Sequence, residues 1–304
     1  MRRPSWPDAG VFGRRIERKF LAVNKRVWDR LPTRVRDLRV VRGYGSWLHT
    51  LVCRGADREM YLGSSFLRNR PALELMRRLT AELPRASTLR IAVLGCSIGA
   101  EVYSILWTLR PARPDLTIVV AAVDVSEDVL AVAEKGVYGP ETSEAVHAPI
   151  FAWMTETERL EMFDWHGDRA EVKPWLRDGI MWSVGDASDP ELVDRLGSQD
   201  VVVASNFLCH MDAPSADRCL RNLVRLASPG GYVFVTGVDL DVRTRVAHDL
   251  GWEPVSELEA EIHDGDPLVR ADWPWQWWGL EPLDRRRPDW RSRYAAVFQV
   301  GAHP

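Results

Sequence analysis

The sequence predicts an α/β fold in which a parallel sheet, covered by helices on both faces, follows a small helical N-terminal domain. Apolar runs of strand length alternate with helical segments from residue 71 onward. Strands that are apolar along their whole length are typical of parallel sheets buried on both faces. A glycine turn joins the first of these strands to a helix. The 304 residues, of which 46% are hydrophobic, are enough for one large core with an appendage.

The N-terminal domain is predicted to cover residues 1–70 and to be basic. It carries 17 Lys or Arg and six Asp or Glu, a net charge of +11, whereas the other 234 residues carry a net charge of −14. We expect short helices over 11–60, with breaks at Pro32 and at the turn Gly43-Tyr-Gly45. The basic module is either a solvated surface or a docking surface for an acidic partner, and both interpretations stay open. No DNA-binding or RNA-binding pattern accompanies it, so we expect no nucleic-acid binding.

The second domain is predicted to cover residues 71–304, and its periodicity alternates between helix and strand. Pro84 ends the first helix, because proline is excluded from helix interiors, and the run Ser228-Pro-Gly-Gly231 closes a later one. In chain order we expect helix 72–83, strand 88–94, helix 101–109, strand 116–123, helix 128–135, strands 180–184 and 200–204, helix 216–226, strand 232–237, helix 242–250, a strand beginning at 252 and a last strand 294–300. Residues 139–180 are long enough for a helix and a small hairpin.

The glycine turn between the first strand and its helix predicts a ligand site. Gly95 and Gly99 let backbone approach a cofactor closely at the carboxyl end of the strand. Glu101 falls in the first helical turn, where a carboxylate repels a pyrophosphate but suits an ammonium group. Asp124 ends the next strand, where an acidic residue binds the two hydroxyls of a ribose. A nucleoside with a cationic tail and no phosphate is S-adenosylmethionine. The alternative is a close helix–strand crossing with a capping acid.

Several segments, in the family's order, resemble the CheR-type methyltransferases, which methylate glutamates of chemotaxis receptors. They are Ser64-Ser-Phe-Leu-Arg68, Gly95-Cys-Ser-Ile-Gly-Ala-Glu-Val-Tyr-Ser104, Val123-Asp-Val-Ser-Glu-Asp-Val-Leu130, Gly136-Val-Tyr138, Gly185-Asp-Ala187 and Ser205-Asn-Phe-Leu-Cys-His-Met-Asp212. The resemblance runs from about Tyr44 to Asp241. It implies a class I, Rossmann-like methyltransferase sheet that binds S-adenosylmethionine, behind a small basic helical domain.

The resemblance extends the set of cofactor contacts beyond the glycine turn and Asp124. The contacts that it implies are Ser64, Arg68, Asp186, Ala187, Ser205 and Asn206. Some positions depart from the family's pattern: Ala100 replaces a glutamate, Ser205 an arginine and His210 a tyrosine. The family's Gly-His-Ser-Glu segment is Gly237-Val-Asp-Leu240 here. We therefore expect a shared cofactor site and an altered acceptor side.

Arg68 and His210 are the predicted catalytic residues. A sulfonium methyl is already activated, so its displacement by a carboxylate oxygen needs positioning and exclusion of water more than a base. An amine, phenol or carbon acceptor needs a proton removed, and histidine titrates near neutral pH. O-methylation of a carboxylate, including that of a protein glutamate, is the leading hypothesis. Methylation of a small molecule, and a non-catalytic cofactor-binding docking module, are the alternatives.

A Trp- and Arg-rich insertion is predicted at about residues 255–291. Residues 263–290 hold five of the 14 Trp, with the run Trp273-Pro-Trp-Gln-Trp-Trp278 and then Arg285-Arg-Arg287. Such a tract is a cap over the sheet edge, a substrate lid that binds through aromatic faces and arginines, or a protein interface. The run His263-Asp-Gly-Asp266 is typical of a turn, and we expect no metal site.

Composition also bears on the cellular compartment in which the protein is expected. No window approaches 18 apolar residues, and the first residues lack an apolar run, so we expect neither a transmembrane span nor a secretory signal. The four cysteines show no CxxC spacing, which argues against a structural zinc site and a disulfide framework. A cytoplasmic location fits best.

Overall fold

The computed structural model describes residues 9–36, 38–55, 62–146, 149–265 and 283–301. The predicted run Trp273–Trp278 lies outside these residues. In chain order the elements are α1 Ala9–Arg30, α2 Thr33–Arg36, α3 Arg39–Gly55, α4 Arg70–Ala81, β1 Thr88–Leu94, α5 Ala100–Ala112, β2 Thr117–Asp124, α6 Glu127–Lys135, β3 Val137–Tyr138, α7 Pro140–Ala145, α8 Glu156–Met162, β4 Phe163–His166, β5 Arg169–Val172, β6 Ile180–Val184, α9 Pro190–Leu196, β7 Gln199–Ser205, α10 Ala213–Leu226, β8 Ala227–Thr236, α11 Leu240–Asp249, β9 Glu253–Pro254, α12 Glu259–Gly265, α13 Trp290–Tyr294 and β10 Val297–Gln299.

The main sheet has seven strands in the order β6-β2-β1-β7-β8-β10-β9. Strands β6, β2, β1, β7 and β8 are parallel, and β10 is antiparallel to both of its neighbours. The predicted α/β class is confirmed. The chain leaves β1 toward β2 and β6 and then returns to the other side of β1 at β7. This reversal creates a crevice at the carboxyl ends of β1 and β7, where open α/β sheets bind their ligands.

Helices cover both faces of the sheet, as predicted, because alternate side chains of each strand point into different cores. Val203 of β7 and Phe234 of β8 belong to the core under α4 and α5. Their neighbours Ala204 and Val235 belong to the core under α10 and α11. Both faces therefore bury apolar side chains, which explains the nearly continuous apolar runs of these strands.

The N-terminal helices are longer than expected. The break at Pro32 is confirmed, since α1 ends at Arg30 and α2 begins at Thr33. The predicted turn at Gly43-Tyr-Gly45 is wrong, because α3 continues through it. Each glycine in a helix costs about 1 kcal/mol relative to alanine, but Leu48 of α3 is completely buried against Trp28 of α1. This packing outweighs the local preference of the two glycines.

Most predicted helices and strands of the second domain are present, with shifted ends. β1 and β6 have the predicted bounds, whereas α10 begins three residues early because the Asp212 carboxylate accepts a hydrogen bond from the Ser215 N–H at 2.8 Å and caps the helix. The last strand is shorter than expected, since Tyr294 ends α13. The expectation of a turn at His263 is wrong, because α12 extends to Gly265. Among the described residues, no cluster of three or more His, Cys, Asp or Glu is suited to hold a metal ion.

A second, three-stranded sheet has the order β3-β5-β4. It contains the predicted hairpin, which turns at Gly167, and α8 precedes it. Phe163 of this sheet packs with Tyr138 and Phe66 in an aromatic cluster, with ring centroids 5.0 Å apart for Phe66 and Phe163. The small sheet thus fixes the segment that leads into α4. Of the helices in the described part of the chain, none has the length and apolar character needed to cross a membrane.

Candidate active site

A single cavity of about 310 Å³ opens at the carboxyl ends of β1, β2 and β7. It collects ten of the residues that the sequence analysis singled out, from segments up to 146 positions apart. They are Ser64, Arg68, Gly95, Glu101, Asp124, Asp186, Ala187, Ser205, Asn206 and His210. The described lining does not include Gly99. The predicted residues therefore converge on one site, although their individual roles stay predictions.

The glycine loop after β1 needs glycine for two different reasons. Gly95 has φ +66°, and a Cβ atom there would lie 2.7 Å from the Phe207 ring, so a side chain meets both strain and a clash. Gly99 precedes α5 with φ +79°, and a Cβ atom there would lie 2.9 Å from the Trp182 ring. Left-handed backbone of this kind favours glycine. Gly95 shapes the cavity wall, whereas Gly99 allows the close packing of α5 on the sheet.

Asp124, the last residue of β2, is held rigidly at the cavity. Its side chain is 5% exposed, and one carboxylate oxygen accepts a hydrogen bond from the Ser97 N–H at 2.8 Å. The other oxygen accepts from the Ser126 N–H at 3.0 Å. Each carboxylate oxygen has capacity for a second hydrogen bond. The group is thus oriented in advance and able to accept two more donors, which matches the two hydroxyls of a ribose.

Cys96 lies near the carboxylates of Asp124 and Glu101 and is not equipped as a nucleophile. Burial, together with the charges of Asp124 and Glu101, raises the pKa of the Cys96 thiol well above its usual value. The thiol is therefore protonated at neutral pH, and the protonated form is a poor nucleophile. The negative charge that raises this pKa also makes this end of the cavity favourable for a cation.

The segment from Ser64 to Arg68 is attached to the body of the protein at two points. The Phe66 N–H donates to the Ile150 carbonyl at 2.9 Å, and the Phe66 ring is buried in the aromatic cluster. Leu67 has φ +54°, and its N–H donates to the Ser104 hydroxyl of α5 at 2.9 Å. These contacts hold Ser64 and Arg68 on the cavity wall.

The loop after β6 brings Asp186 and Ala187 to the cavity. One Asp186 oxygen accepts hydrogen bonds from the N–H and the hydroxyl of Ser188, at 2.8 and 2.7 Å. Asn222 of α10 donates to the carbonyls of Ala187 and Asp189, at 3.0 and 2.8 Å. Asn222 could not be predicted from the sequence, because no local pattern distinguishes a helix residue that supports a distant loop.

Asn206 has an unusual backbone and an unsatisfied polar atom. Its φ is +59°, its N–H donates to the Thr236 carbonyl at 3.0 Å, and its buried Oδ1 atom accepts no hydrogen bond from the described residues. Gly237 packs directly against it, because a Cβ atom at that position would lie 2.5 Å from this Oδ1. Buried acceptors normally have a donor, and strained backbone concentrates at ligand sites. Both features are expected of a residue that receives a hydrogen bond from a bound molecule.

His210 closes the short 3₁₀ turn Leu208–His210, four residues beyond Asn206. Both of its ring nitrogens are buried, and its N–H donates to the Phe207 carbonyl at 3.1 Å. The turn therefore holds the ring at the cavity wall next to the carboxyl end of β7.

Comparison with known proteins identifies the family. The model of the CheR methyltransferase SAM binding domain matches residues 63–242. The chain belongs to the CheR methyltransferase family. It is accordingly an S-adenosylmethionine-dependent methyltransferase, and S-adenosylmethionine is its cofactor. The matched segment contains every residue that the sequence analysis assigned to the site. An enzyme is therefore supported over the non-catalytic docking module.

Two curated relatives and one solved structure give the extent of the similarity. The CheR-family chain is 28% identical over 203 residues to the probable biofilm formation methyltransferase WspC of Pseudomonas putida KT2440, covering 65% of this chain and 45% of the relative. It is 26% identical over 217 residues to chemotaxis protein methyltransferase 2 of Pseudomonas aeruginosa PAO1, covering 68% and 75%. It thus spans less than half the length of WspC. The crystal structure of the CurJ carbon methyltransferase has 14% identity and a TM-score of 0.40, covering 78% of this chain and 55% of that one.

Further residues of the CheR-family cavity had escaped the sequence analysis. Ser97 donates its hydroxyl to the Leu62 carbonyl at 2.7 Å, and its position inside the glycine motif was an available signal. Asn69 caps α4 and donates its amide to the Ile262 carbonyl at 3.0 Å. Ile262 and Ala296 line the cavity from the C-terminal part of the chain. No local pattern distinguishes these two from ordinary core residues.

Proposed function

We propose that this CheR-family methyltransferase O-methylates a carboxylate. The observation that carries the proposal is the charge of the cavity wall. Among the described residues that line the cavity, Arg68 is the only Lys or Arg, whereas Glu101, Asp124 and Asp186 are acidic. The acidic side chains suit the cationic cofactor, and the guanidinium suits a carboxylate, with which arginine forms strong charge-assisted hydrogen bonds.

The main task of the protein in this reaction is to position the acceptor and the cofactor. When bound, the cofactor supplies a methyl group on a positively charged sulfur. A carboxylate is already ionised at neutral pH, so the acceptor has no proton to lose. The roles left to the chain are to hold Asp124 and Asn206 against the cofactor, to orient the acceptor with Arg68 and to exclude water.

His210 supports a second candidate, methylation of a group that carries a proton. An imidazole on the cavity wall is able to act as a general base, which a tyrosine at the same position does not do at neutral pH. An amine, phenol or carbon acceptor would use it in this way. The two candidates differ in the chemical stability of the product and in the pH dependence of the rate.

The N-terminal helices support a proposal on partners. Helices α1 and α3 share a small apolar cluster around Trp28 and Leu48, separate from the two cores of the sheet, which supports a separate N-terminal domain, although Phe66 and Leu67 pack into the core of the second domain. Lys19, Arg26 and Arg30 are exposed on α1. We propose that this basic domain docks an acidic partner protein. The buried thiols of Cys96 and Cys219 form no disulfide, in keeping with the proposed cytoplasmic location.

Labelled methyl transfer tests the proposed reaction. The purified chain is incubated with S-adenosylmethionine labelled in the methyl group and a cell extract, and the products are separated into protein and small-molecule fractions. A methyl ester releases labelled methanol in mild base, whereas methylated nitrogen or carbon does not. Base-stable label would contradict carboxylate methylation. Asp124→Ala serves as the control that lacks a predicted cofactor contact.

A further inference from the structure

The two ends of the cavity differ in chemistry. The end at β1, β2 and β6 carries the acidic residues Glu101, Asp124 and Asp186. Toward β7, β8 and β10 the cavity has polar residues at its rim, among them Ser205, Asn206 and Thr236, and a second, apolar part whose side chains are not predicted cofactor contacts. We call this second part the apolar lobe, and its walls are formed by Met76, Ile105, Val203, Phe234, Ile262 and Ala296.

Strand alternation shows that the lobe runs from the site into the core. Val203 lies two residues before Ser205 on β7, and Phe234 lies two residues before Thr236 on β8. Residues two apart on a strand share a face. The lobe therefore descends along the same face of the sheet, from Ser205 and Thr236 at its rim to Val203 and Phe234 in its wall.

Helices α4 and α12 form the roof of the lobe through Met76 and Ile262. The Asn69 amide donates to the Ile262 carbonyl at 3.0 Å, and Arg78 of α4 pairs with Glu257 at 2.6 Å. Arg68 immediately precedes Asn69 and also lines the cavity. Arg68 is thus a cavity-lining residue at the point in the chain where the roof begins.

The six side chains that define the lobe are apolar and deeply buried, and the polar residues Asn69, Ser104 and Thr236 line the same cavity. The six residues that define the lobe are between 1% and 6% exposed. Concave apolar space of this kind binds apolar groups, because water inside it finds too few hydrogen-bond partners. Ile262 and Ala296 lie beyond residue 242, where the family match ends, so part of this wall comes from a segment outside the matched domain.

We infer that the lobe receives the apolar body of the methyl acceptor, which is a small amphipathic carboxylic acid rather than a protein glutamate. The inference rests on the proposed carboxylate methylation and specifies its substrate class. The acceptor's carboxylate remains beside Arg68, at the entrance of the lobe. A glutamate side chain has only two methylenes before its carboxylate and would leave the lobe unfilled.

The proposed step is balanced without any further reactant. A bond forms between a carboxylate oxygen and the methyl carbon as the bond between sulfur and that carbon breaks. The electron pair of the broken bond stays on sulfur, which becomes a neutral thioether. The products are a methyl ester and S-adenosylhomocysteine, and no proton is transferred.

A homologous series of acids tests the lobe. Acetate, butyrate, hexanoate and octanoate are titrated by calorimetry into the full chain saturated with S-adenosylhomocysteine. Burial of one methylene contributes about 0.8 kcal/mol, so each added methylene should tighten binding about fourfold until the lobe is full. N-acetylglutamate amide, a mimic of a protein glutamate, should bind no better than butyrate.

Filling the lobe should remove this dependence on chain length. In Ala296→Phe the added ring occupies the lobe, so octanoate should bind at least about tenfold more weakly while S-adenosylhomocysteine binds as in the wild type. Met76→Phe, on the other wall, gives the same test if Ala296→Phe does not fold. Ala81→Phe adds the same ring at the exposed end of α4 and should leave the series unchanged.

The outcomes separate the inference from the proposed function. Equal affinity for acetate and octanoate, or unchanged chain-length dependence in both filled variants, would overturn the inference. Methylation of N-acetylglutamate amide but of none of the acids would also overturn it and would leave carboxylate methylation standing. Tight, chain-length-dependent binding without ester formation would instead contradict carboxylate methylation and keep the apolar lobe as a binding site.

Discussion

The backbone N–H of Ser97 donates a hydrogen bond to the Asp124 carboxylate over 2.8 Å, and this contact ties the glycine loop after β1 to the end of β2. One buried carboxylate thus holds together the two strand ends that form the predicted cofactor site. Its second oxygen is fixed in the same way by the Ser126 N–H. The Asp124 carboxylate supports the local structure and is also the predicted contact to the cofactor. Its removal should therefore lower both the stability of the protein and its affinity for S-adenosylmethionine.

Asp124→Ala should weaken binding of S-adenosylmethionine at least about tenfold, because two charge-assisted hydrogen bonds are lost. It should also destabilise the protein by about 1 to 3 kcal/mol, since two backbone N–H groups lose their acceptor. Calorimetry and urea denaturation measure the two effects. Asp128→Ala removes an exposed carboxylate from the first turn of α6; it should leave the affinity unchanged and cost less than about 1 kcal/mol of stability. Unchanged affinity in Asp124→Ala would show that this strand end does not contact the cofactor.

Two glycines with similar φ angles separate strain from steric clash. Gly95 has φ +66° and Gly251 has φ +63°, but a Cβ atom at Gly251 meets no atom of the described residues within 4 Å, whereas one at Gly95 lies 2.7 Å from Phe207. Gly251→Ala should cost about 1 to 2 kcal/mol from positive-φ strain alone. Gly95→Ala should cost more and should also weaken cofactor binding, because Phe207 lines the cavity. Equal losses of stability, measured by urea denaturation, would contradict the predicted clash.

Glu259 of α12 should make stability depend on pH. The residue is 4% exposed, and within the described part of the chain its carboxylate oxygens accept no hydrogen bond. Burial raises its pKa to about 7, against the opposing charges of Arg291, Arg243 and Arg285. The folded pKa lies above the unfolded value, so the folded state binds the proton more tightly. The free energy of unfolding should therefore fall, by about 1 to 3 kcal/mol, as pH rises from about 4.5 to 7.

Denaturation in urea between pH 5 and 8 measures this slope, and Glu259→Gln should flatten it by removing the titrating group. Glu261→Gln changes an exposed carboxylate of the same helix and should keep the wild-type slope. The same slope in Glu259→Gln would assign the pH dependence to another group. Because α12 also carries Ile262, we expect alkaline pH to loosen the roof of the apolar lobe.

The two candidate reactions predict opposite effects of substituting Arg68 and His210. For a carboxylate acceptor, Arg68→Ala should reduce kcat/KM far more than His210→Phe, which keeps an aromatic ring on the wall. The rate should then be nearly flat between about pH 6 and 8, since the acceptor is already ionised. A pH–rate profile measured with the true acceptor distinguishes the two candidate reactions. A rise with one ionisation that disappears in His210→Phe would favour an acceptor that carries a proton.

The sequence was informative wherever a function depends on neighbouring residues. The glycine loop, Asp124 and the segment from Ser64 to Arg68 are continuous motifs, and each leads to the cavity because parallel strands end at the same edge of a sheet. Side chains that act across long sequence separations gave no local signal. Asn222 supports the loop at Ala187 from 35 positions away, and an ordinary apolar residue such as Ile262 becomes part of a site only through packing.

The two glycines of α3 illustrate a different limit. Local preferences favour a turn at Gly43-Tyr-Gly45, and the helix forms because Leu48 is buried against Trp28. This contact joins α1 and α3, and nothing in the local sequence of either helix indicates that the two pack together. Intrinsic helix propensity is a weak guide wherever tertiary contacts of this strength are available.

The position of β10 has a consequence for how the chain folds as it is synthesised. This strand comes last in the sequence but lies between β8 and β9, so β9 has no neighbour in the sheet until residues 297–299 have left the ribosome. Ala296, in the wall of the apolar lobe, emerges at the same time. The cofactor end of the cavity, built from earlier residues, is able to form first. A nascent chain stalled before residue 296 is therefore expected to hold a recognisable cofactor crevice next to an unfinished acceptor wall.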